Sequence, residues 1–168
     1  DKKVDVVFSK ASLQWAQDHE AVLHGIKACL APSGRVLLQM GGKGNAGAIL
    51  EILYAMIDQS PWQEYFKEFS FPYGFYGPEE YTVWMNQAGL ILKRAELIPK
   101  DMVHQGKEGL LAWIRTTWLP YTDRVPEPLR EVFMEELARL YIKAYPVDEK
   151  GQIHISMMRL EVEATNRD

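Results

Sequence analysis

Apolar residues recur with two different periods along this chain, and the changes of period lay out its elements. In "KKVDVVFS", residues 2–9, Val4, Val6, Val7 and Phe8 put apolar side chains on both faces. That is the pattern of an interior strand in a parallel sheet. Ala21, Val22, Ile26, Cys29 and Leu30 then recur at helical spacing behind Asp18, a predicted N-cap, and Pro32-Ser33-Gly34 stops the helix. "RVLLQM", residues 35–40, reads as a second buried strand. A glycine-rich turn follows, then a helix from about Ala46 to Gln59 with Ile49, Ile52, Leu53 and Met56 as its apolar stripe. This strand–helix–strand–helix order predicts parallel strands joined by right-handed crossovers, an α/β fold.

Downstream the pattern changes. Between Trp62 and Trp84 aromatic residues crowd together, with Phe69, Phe71, Tyr73, Phe75 and Tyr76 in alternation or in pairs. "GPEEYTVWMNQAG" predicts a short helix opened by Pro78, with Glu79 and Glu80 in its first turn and Gly89 closing it. "LILKRAELIP" predicts a third strand. A helix around Glu108–Thr117, breaks at Pro120 and at Pro126 and Pro128, and a helix to about Tyr145 come next. The last strand shifts phase near Met158: Ile153, Ile155 and Met157 share one face, Leu160, Val162 and Ala164 the other. An interior strand needs neighbours on both sides. A first strand at the very start of the sequence therefore gives the expectation of a later portion of a longer chain.

The glycine turn carries the most conspicuous motif. Gly42, Gly44 and Gly47 have the G-x-G-x-x-G spacing between a strand and a helix, the context of a dinucleotide fingerprint. Lys43 is followed by Gly44, so the Ser or Thr that a P-loop needs for Mg²⁺ is missing. Glu64 and Glu68 lie about 20 residues on, where a ribose-binding acid would sit, but in an aromatic stretch with no clear buried strand. The other reading is a flexible strand-to-helix turn at the carboxyl edge of the sheet, lining a pocket without cradling phosphate.

Composition narrows the function classes. The chain has 168 residues, 47% apolar and 25% charged, with a net charge of −4, room for one domain with a real core and no general affinity for nucleic acid. Cys29 is the single cysteine, which excludes an internal disulfide framework and a cysteine-based zinc site. No apolar run reaches membrane-spanning length and no signal peptide is visible, so the default setting is a reducing cytoplasm. His19, His24, His104 and His154 show no metal-ligand spacing.

"DVVFSKASLQWAQDHEAVLHGIKACLAPSGRVLLQM" resembles the second half of the class I S-adenosylmethionine-dependent methyltransferases. There a strand ends in a short polar turn with L-x-W, a D-H-E-x-x-L helix follows, and a Pro-Gly turn leads to the next strand. "FPYGFYGPEEYTVWMNQAGLILKRAELIP" resembles that family's next loop, helix and strand. "WIRTTWLPY" and "AYPVDEKGQIHISMMRLEVEAT" resemble the insert and last strand of its trans-aconitate methyltransferase group. The resemblance implies the C-terminal half of a Rossmann-like methyltransferase sheet, its fourth to seventh strands with an antiparallel last one. Residues 1–168 are then one partial domain with a helical insert over 100–150. The family's glycine-rich loop and ribose-binding acid belong to its first two strands and have no match here. The spacing at Gly42–Gly47 then falls after the fifth strand and is accidental.

The same resemblance implies S-adenosyl-L-methionine as cofactor of the complete protein, contacted here by Ser9, Lys10 and Ala11, with Gln14 and Trp15 walling the methyl-transfer pocket. Lys10 stands where Asn is common. It implies a small-molecule acceptor, bordered by Gln39, Met40 and Gly41. The run Phe69–Tyr76, with Phe71, Tyr73 and Tyr76, is a candidate lid or a satellite core. Arg115, Trp118 and Tyr121 are candidates for acceptor recognition, Arg115 as a bidentate fork for a carboxylate or as an ordinary solvated helix residue. His19 is a candidate general base, or an ordinary first-turn residue beside Asp18 and Glu20. The implied reaction is in-line displacement at the sulfonium methyl, with a carboxylate as the favoured acceptor because it needs no base. No nucleic acid or membrane partner is expected. The exposed edge of the first strand allows a homodimer or a non-catalytic role, and a nucleotide-binding enzyme using Gly42–Gly47 is the third reading.

Overall fold

The computed structural model describes residues 3–167; Lys2, included in the predicted first strand, lies outside the described residues. In chain order the elements are β1 (Val4–Lys10), α1 (His19–Cys29), β2 (Leu30–Gly41), α2 (Gly47–Ile57), α3 (Pro78–Gln87), β3 (Leu90–Gln105), α4 (Gly106–Thr117), α5 (Leu119–Thr122), α6 (Glu127–Ala144) and β4 (Gln152–Asn166). Short 3-10 turns occupy Leu13–Trp15 and Trp62–Phe66. The chain divides into two compact units, one of residues 3–45, 72–100 and 157–167, the other of 46–71 and 101–156.

The first unit is built on a four-stranded sheet in the order β1-β2-β4-β3. β1 and β2 run parallel, with Val6 beside Arg35 and Lys10 beside Gln39. β4 runs antiparallel to β2, from Thr165 beside Arg35 to Arg159 beside Gly41. Alternation sorts the side chains. Val36, Leu38 and Met40 of β2 with Leu160, Val162 and Ala164 of β4 are buried against Leu23 and Ile26 of α1 and Tyr81 and Met85 of α3. The opposite face carries Arg35, Leu37 and Gln39 beside Glu161 and Glu163. α1 starts as its sequence predicts: the Asp18 side chain accepts the Ala21 N–H at 2.9 Å. α3 starts at Pro78, and the Glu80 carboxylate closes a capping box on the Gly77 N–H at 2.9 Å. Amide hydrogen bonds from Glu80 itself and Gly77 hold that carboxyl below its usual range.

β1 departs from the expected interior strand. Among the described residues its one sheet neighbour is β2, and Val6 and Phe8 are 59% and 61% exposed. Its two-faced apolar pattern is real, but only Val7 packs against the core.

The second unit is mainly helical. Leu53, Trp62, Phe66, Ile114, Tyr121 and Phe133 are among its buried residues, with Phe66 stacked on Phe133 and Trp62 edge-on to it. The break expected at Pro120 lies two residues earlier. Trp118 leaves helical geometry, and Pro120 sits in the first turn of α5, where its missing N–H is no loss. β4 shows the predicted phase shift: Ile153 and Ile155 are buried in this unit, Leu160, Val162 and Ala164 in the other.

Where β4 begins, His154 Nδ1 lies 2.6 Å from Asp101 Oδ2 and its Nε2 3.2 Å from Asp148 Oδ2. Asp101 and then Asp148 raise its pKa above the ordinary value. The folded state thus holds this proton more tightly than the unfolded state does. The resulting stabilisation is complete below the unfolded value of about 6.5 and is lost as pH rises through the raised folded value. His154→Gln should remove that loss. Thermal midpoints of protein and variant should converge as pH rises above about 6.5, and a difference that stays unchanged through that rise would sink the assignment.

Candidate functional site

The carboxyl ends of parallel β1 and β2, Lys10 and Gly41, form the edge where ligands of open α/β sheets bind. Ala11 turns the chain off β1 with φ of 54° in the left-handed region, and its N–H is held by the Gln39 carbonyl at 2.8 Å. Strain of this kind in a non-glycine residue concentrates at functional loops. The 3-10 turn that follows presents Gln14 and Trp15. Gln14 spans the edge: its Oε1 accepts the Gly41 N–H at 3.4 Å, and its carbonyl accepts the Gly74 N–H at 2.9 Å. Trp15 is half exposed and edge-on to Tyr73, which stacks on Phe75.

Residues 73–77 lie as a strap over this edge. The Tyr76 hydroxyl donates to the Gln17 carbonyl at 2.6 Å, and the Tyr76 carbonyl accepts the Lys43 N–H at 2.9 Å. A Cβ at Gly41 would sit 2.7 Å from Asn45 Nδ2 and 2.9 Å from Phe75 Cε1. Glycine at the end of β2 is therefore what lets Asn45 and the strap close in. Ala11, Gln14, Trp15, Gly41, Tyr73 and Tyr76 thus come together in one unit.

The expectation for Met40 is corrected. Met40 points into the core, 2% exposed, with the Tyr81 hydroxyl 3.2 Å from its sulfur, so it cannot border an acceptor. Gln39 lies on the sheet face away from the core, where it bonds Glu161 at 3.0 Å beside Lys10. The run Phe69–Tyr76 is divided between the two units. Phe69 packs on Phe66 and Tyr121 in the second unit, with the Arg124 guanidinium over its ring, whereas Tyr73–Tyr76 belong to the first unit. Phe71, Arg115, Trp118 and Tyr121 all lie in the second unit. Arg115 is paired with Glu131 at 2.8 Å, and Trp118 and Tyr121 are buried, the Tyr121 hydroxyl 3.1 Å from that of Tyr54.

His19 is a buried structural histidine rather than a base open to substrate. Its Nε2 is 2.8 Å from the Leu13 carbonyl and its Nδ1 2.7 Å from the Tyr81 hydroxyl. Burial lowers its pKa, against the opposing pull of the Leu13 and Ala16 carbonyls and Asp18. A neutral ring facing a carbonyl carries its proton on Nε2, so Nδ1 accepts from Tyr81.

The glycine turn is committed to the fold. The Gly42 N–H donates to the Met158 carbonyl at 2.8 Å, Lys43 N–H to Tyr76, and Asn45 N–H to the Gly42 carbonyl at 2.9 Å. Amides spent this way cannot cradle a phosphate. Gly42 is glycine for packing, since a Cβ there would meet Leu97 Cδ2 at 2.5 Å and Leu160 Cβ at 2.8 Å. Three amides of the G-x-G-x-x-G turn are engaged within the fold, which weighs against the nucleotide reading.

Two residues of this edge escaped the sequence reading. Phe75 sat inside the aromatic run without being singled out. Arg159 was signalled by the alternation "RLEVE", which puts Arg159, Glu161 and Glu163 on one face.

No family model matches the chain. Curated relatives do. Trans-aconitate 2-methyltransferase of Variovorax paradoxus (strain S110) is 25% identical over 174 residues, 99% of this chain and 64% of the relative. The protein of the same name from Shigella dysenteriae serotype 1 (strain Sd197) is 23% identical over 167 residues, 98% of this chain and 63% of the relative. The chain thus spans a little under two thirds of the length of the curated relatives it matches. Among solved structures, a provisionally named methyltransferase of Bacillus halodurans C-125 matches all of this chain and 66% of its own with a TM-score of 0.58 at 11% identity. The YcgJ protein of Bacillus subtilis matches the same shares with a TM-score of 0.54 at 13% identity. The fold is that of the Rossmann-like methyltransferases, as the resemblance implied.

Proposed function

We propose that this chain, with its class I methyltransferase fold, is part of an S-adenosylmethionine-dependent methyltransferase whose acceptor is a small carboxylate. The observation that carries the reading is its similarity, along 99% of its length, to a trans-aconitate 2-methyltransferase. The edge geometry supports it. The Ala11 turn, Gln14 and the half-exposed Trp15 suit one side of the cofactor, because an indole attracts a sulfonium cation. The glycine-rich loop and ribose-binding acid that the family requires have no match in this sequence. We assign them to a further segment of the enzyme that pairs with the free edge of β1.

When bound, S-adenosylmethionine supplies an electrophilic methyl group on a sulfonium. A carboxylate acceptor is ionised at neutral pH and already nucleophilic, so the protein's tasks are proximity, orientation and exclusion of water. Gln14 fixes the edge, and Tyr73 and Phe75 shield it. No residue of the edge needs to take a proton, which agrees with the buried, fully bonded His19.

The test is methyl transfer by the full-length protein from isotope-labelled S-adenosylmethionine to trans-aconitate, read as a methyl ester by mass spectrometry. Labelled ester is expected. Tight binding of S-adenosylhomocysteine without transfer to any carboxylate would remove the acceptor assignment. Tight binding by residues 1–168 alone would remove the assignment of the missing loop to a further segment.

A further inference from the structure

We propose that Arg159, with Lys10 across the sheet, recognises the carboxylates of a polycarboxylate acceptor that are not methylated. The inference rests on the carboxylate-acceptor reading and names the residues that would distinguish di- and tricarboxylates from simple acids.

The charges on this face of the sheet are nearly all matched. Arg94 meets Glu96 at 3.1 Å, Glu161 at 3.0 Å and Glu163 at 3.5 Å. Arg35 meets Glu163 at 3.8 Å. Glu161 is satisfied twice before Arg159 reaches it, by Gln39 Nε2 and by Arg94, and these two hold its carboxyl below the usual range.

Arg159 is matched in part. One of its N–H groups meets Glu161 at 2.8 Å, while its Nε is enclosed with no hydrogen-bond partner among the described residues. An enclosed donor without an acceptor is costly and calls for an explanation. The side chain as a whole is 34% exposed, so a solute can reach the outer part of the guanidinium, and a turn of the side chain on docking would bring the enclosed Nε–H to the carboxylate in a charge-assisted bond. Arg159 lies beside Gly41, at the ligand-binding end of β2, where glycine offers no side chain to screen it. Lys10 points to the same face, in the row Lys10–Gln39–Glu161, and has no ion pair among the described residues. Two strand spacings across and two residues along separate the Cα atoms of Lys10 and Arg159 by about 12 Å. Two long cationic side chains can converge over that span on one small molecule with two carboxylates.

The full-length protein and its Arg159→Gln, Arg159→Lys, Lys10→Gln and Arg35→Gln variants should be compared with trans-aconitate and with the monocarboxylate crotonate as acceptors. Arg159→Gln is expected to raise KM for trans-aconitate about tenfold to a hundredfold with kcat little changed. Arg159→Lys should recover part of the loss, Lys10→Gln should show a smaller rise, and Arg35→Gln none. In Arg159→Gln, KM for crotonate and affinity for S-adenosylhomocysteine should not move. An unchanged KM for trans-aconitate in Arg159→Gln, or an equal loss for both acceptors, would overturn the assignment. Calorimetry with tricarballylate and no methyl donor separates the two readings. Binding that Arg159→Gln abolishes places a polycarboxylate on Arg159 even if no ester forms. Equal binding by protein and variant refutes the site whatever the outcome of methyl transfer. Matching thermal midpoints exclude misfolding as the cause.

Discussion

Replacing His19 with alanine should destabilise the protein by about 3–5 kcal/mol, the largest single effect we expect from the site region. The side chain is 1% exposed and fills space among Tyr76, Tyr81 and Trp84. Its removal leaves a cavity, the Leu13 carbonyl without its donor and the Tyr81 hydroxyl without its acceptor. Denaturant midpoints measure the loss, and a change under about 1 kcal/mol would show that the ring is not the anchor described here. Tyr81→Phe removes only one of these bonds and should cost about 1–2 kcal/mol. The pH dependence adds a second, independent check. Burial keeps the folded-state pKa of His19 below its unfolded value of about 6.5. The unfolded chain therefore binds the proton first as pH falls. Stability from His19 is complete above about pH 6.5 and declines below it, toward the lowered folded value. The trend is opposite to that of His154, and His19→Gln should make the acid limb shallower.

Gly74→Ala should cost about 1–3 kcal/mol in stability and a larger share of activity. A Cβ at this position would overlap the Ala16 carbonyl oxygen, lie 2.6 Å from His19 Nε2 and 3.0 Å from Tyr76 Cε2. The first of these is backbone and the second a locked ring, so neither can yield cheaply. The strap would lift, and with it the Gly74 N–H bond to the Gln14 carbonyl that fixes the 3-10 turn. The proposed methyl transfer should fall at least tenfold while the sheet of the first unit keeps its protection from hydrogen exchange. Wild-type activity in Gly74→Ala would show that the strap does not shape the site.

The elements were legible where a local rule fixed them. Asp18 and Pro78 start helices by capping chemistry that needs no tertiary partner, and the phase shift near Met158 follows from alternation alone. What could not be read was which core each residue serves. The aromatic run Phe69–Tyr76 is continuous in sequence, yet it divides between two units, because apolarity marks burial and not the neighbour. Arg115 looked like the carboxylate fork, but whether a helix arginine is free depends on a residue sixteen positions away, Glu131. His19 was ambiguous for a similar reason. Its partners, Leu13 and Tyr81, are set by the packing of α1 against α3. The glycine spacing misled because hydrogen bonding, not sequence, decides whether an amide is available.

The open edge of β1 also bears on how the protein can be handled. Val4, Val6, Val7 and Phe8 form a segment of high strand propensity that has no strand on its outer side among the described residues, so its backbone groups there are open to pairing whenever a further segment does not cover them. Such segments seed ordered aggregation when nothing interrupts them. Here Asp5 lies within the segment and Lys10 closes it, and these charges act as gatekeepers against one copy zipping onto the next. Lys10 would then serve colloidal solubility as well as ligand recognition, and removing its charge would favour aggregation at high concentration.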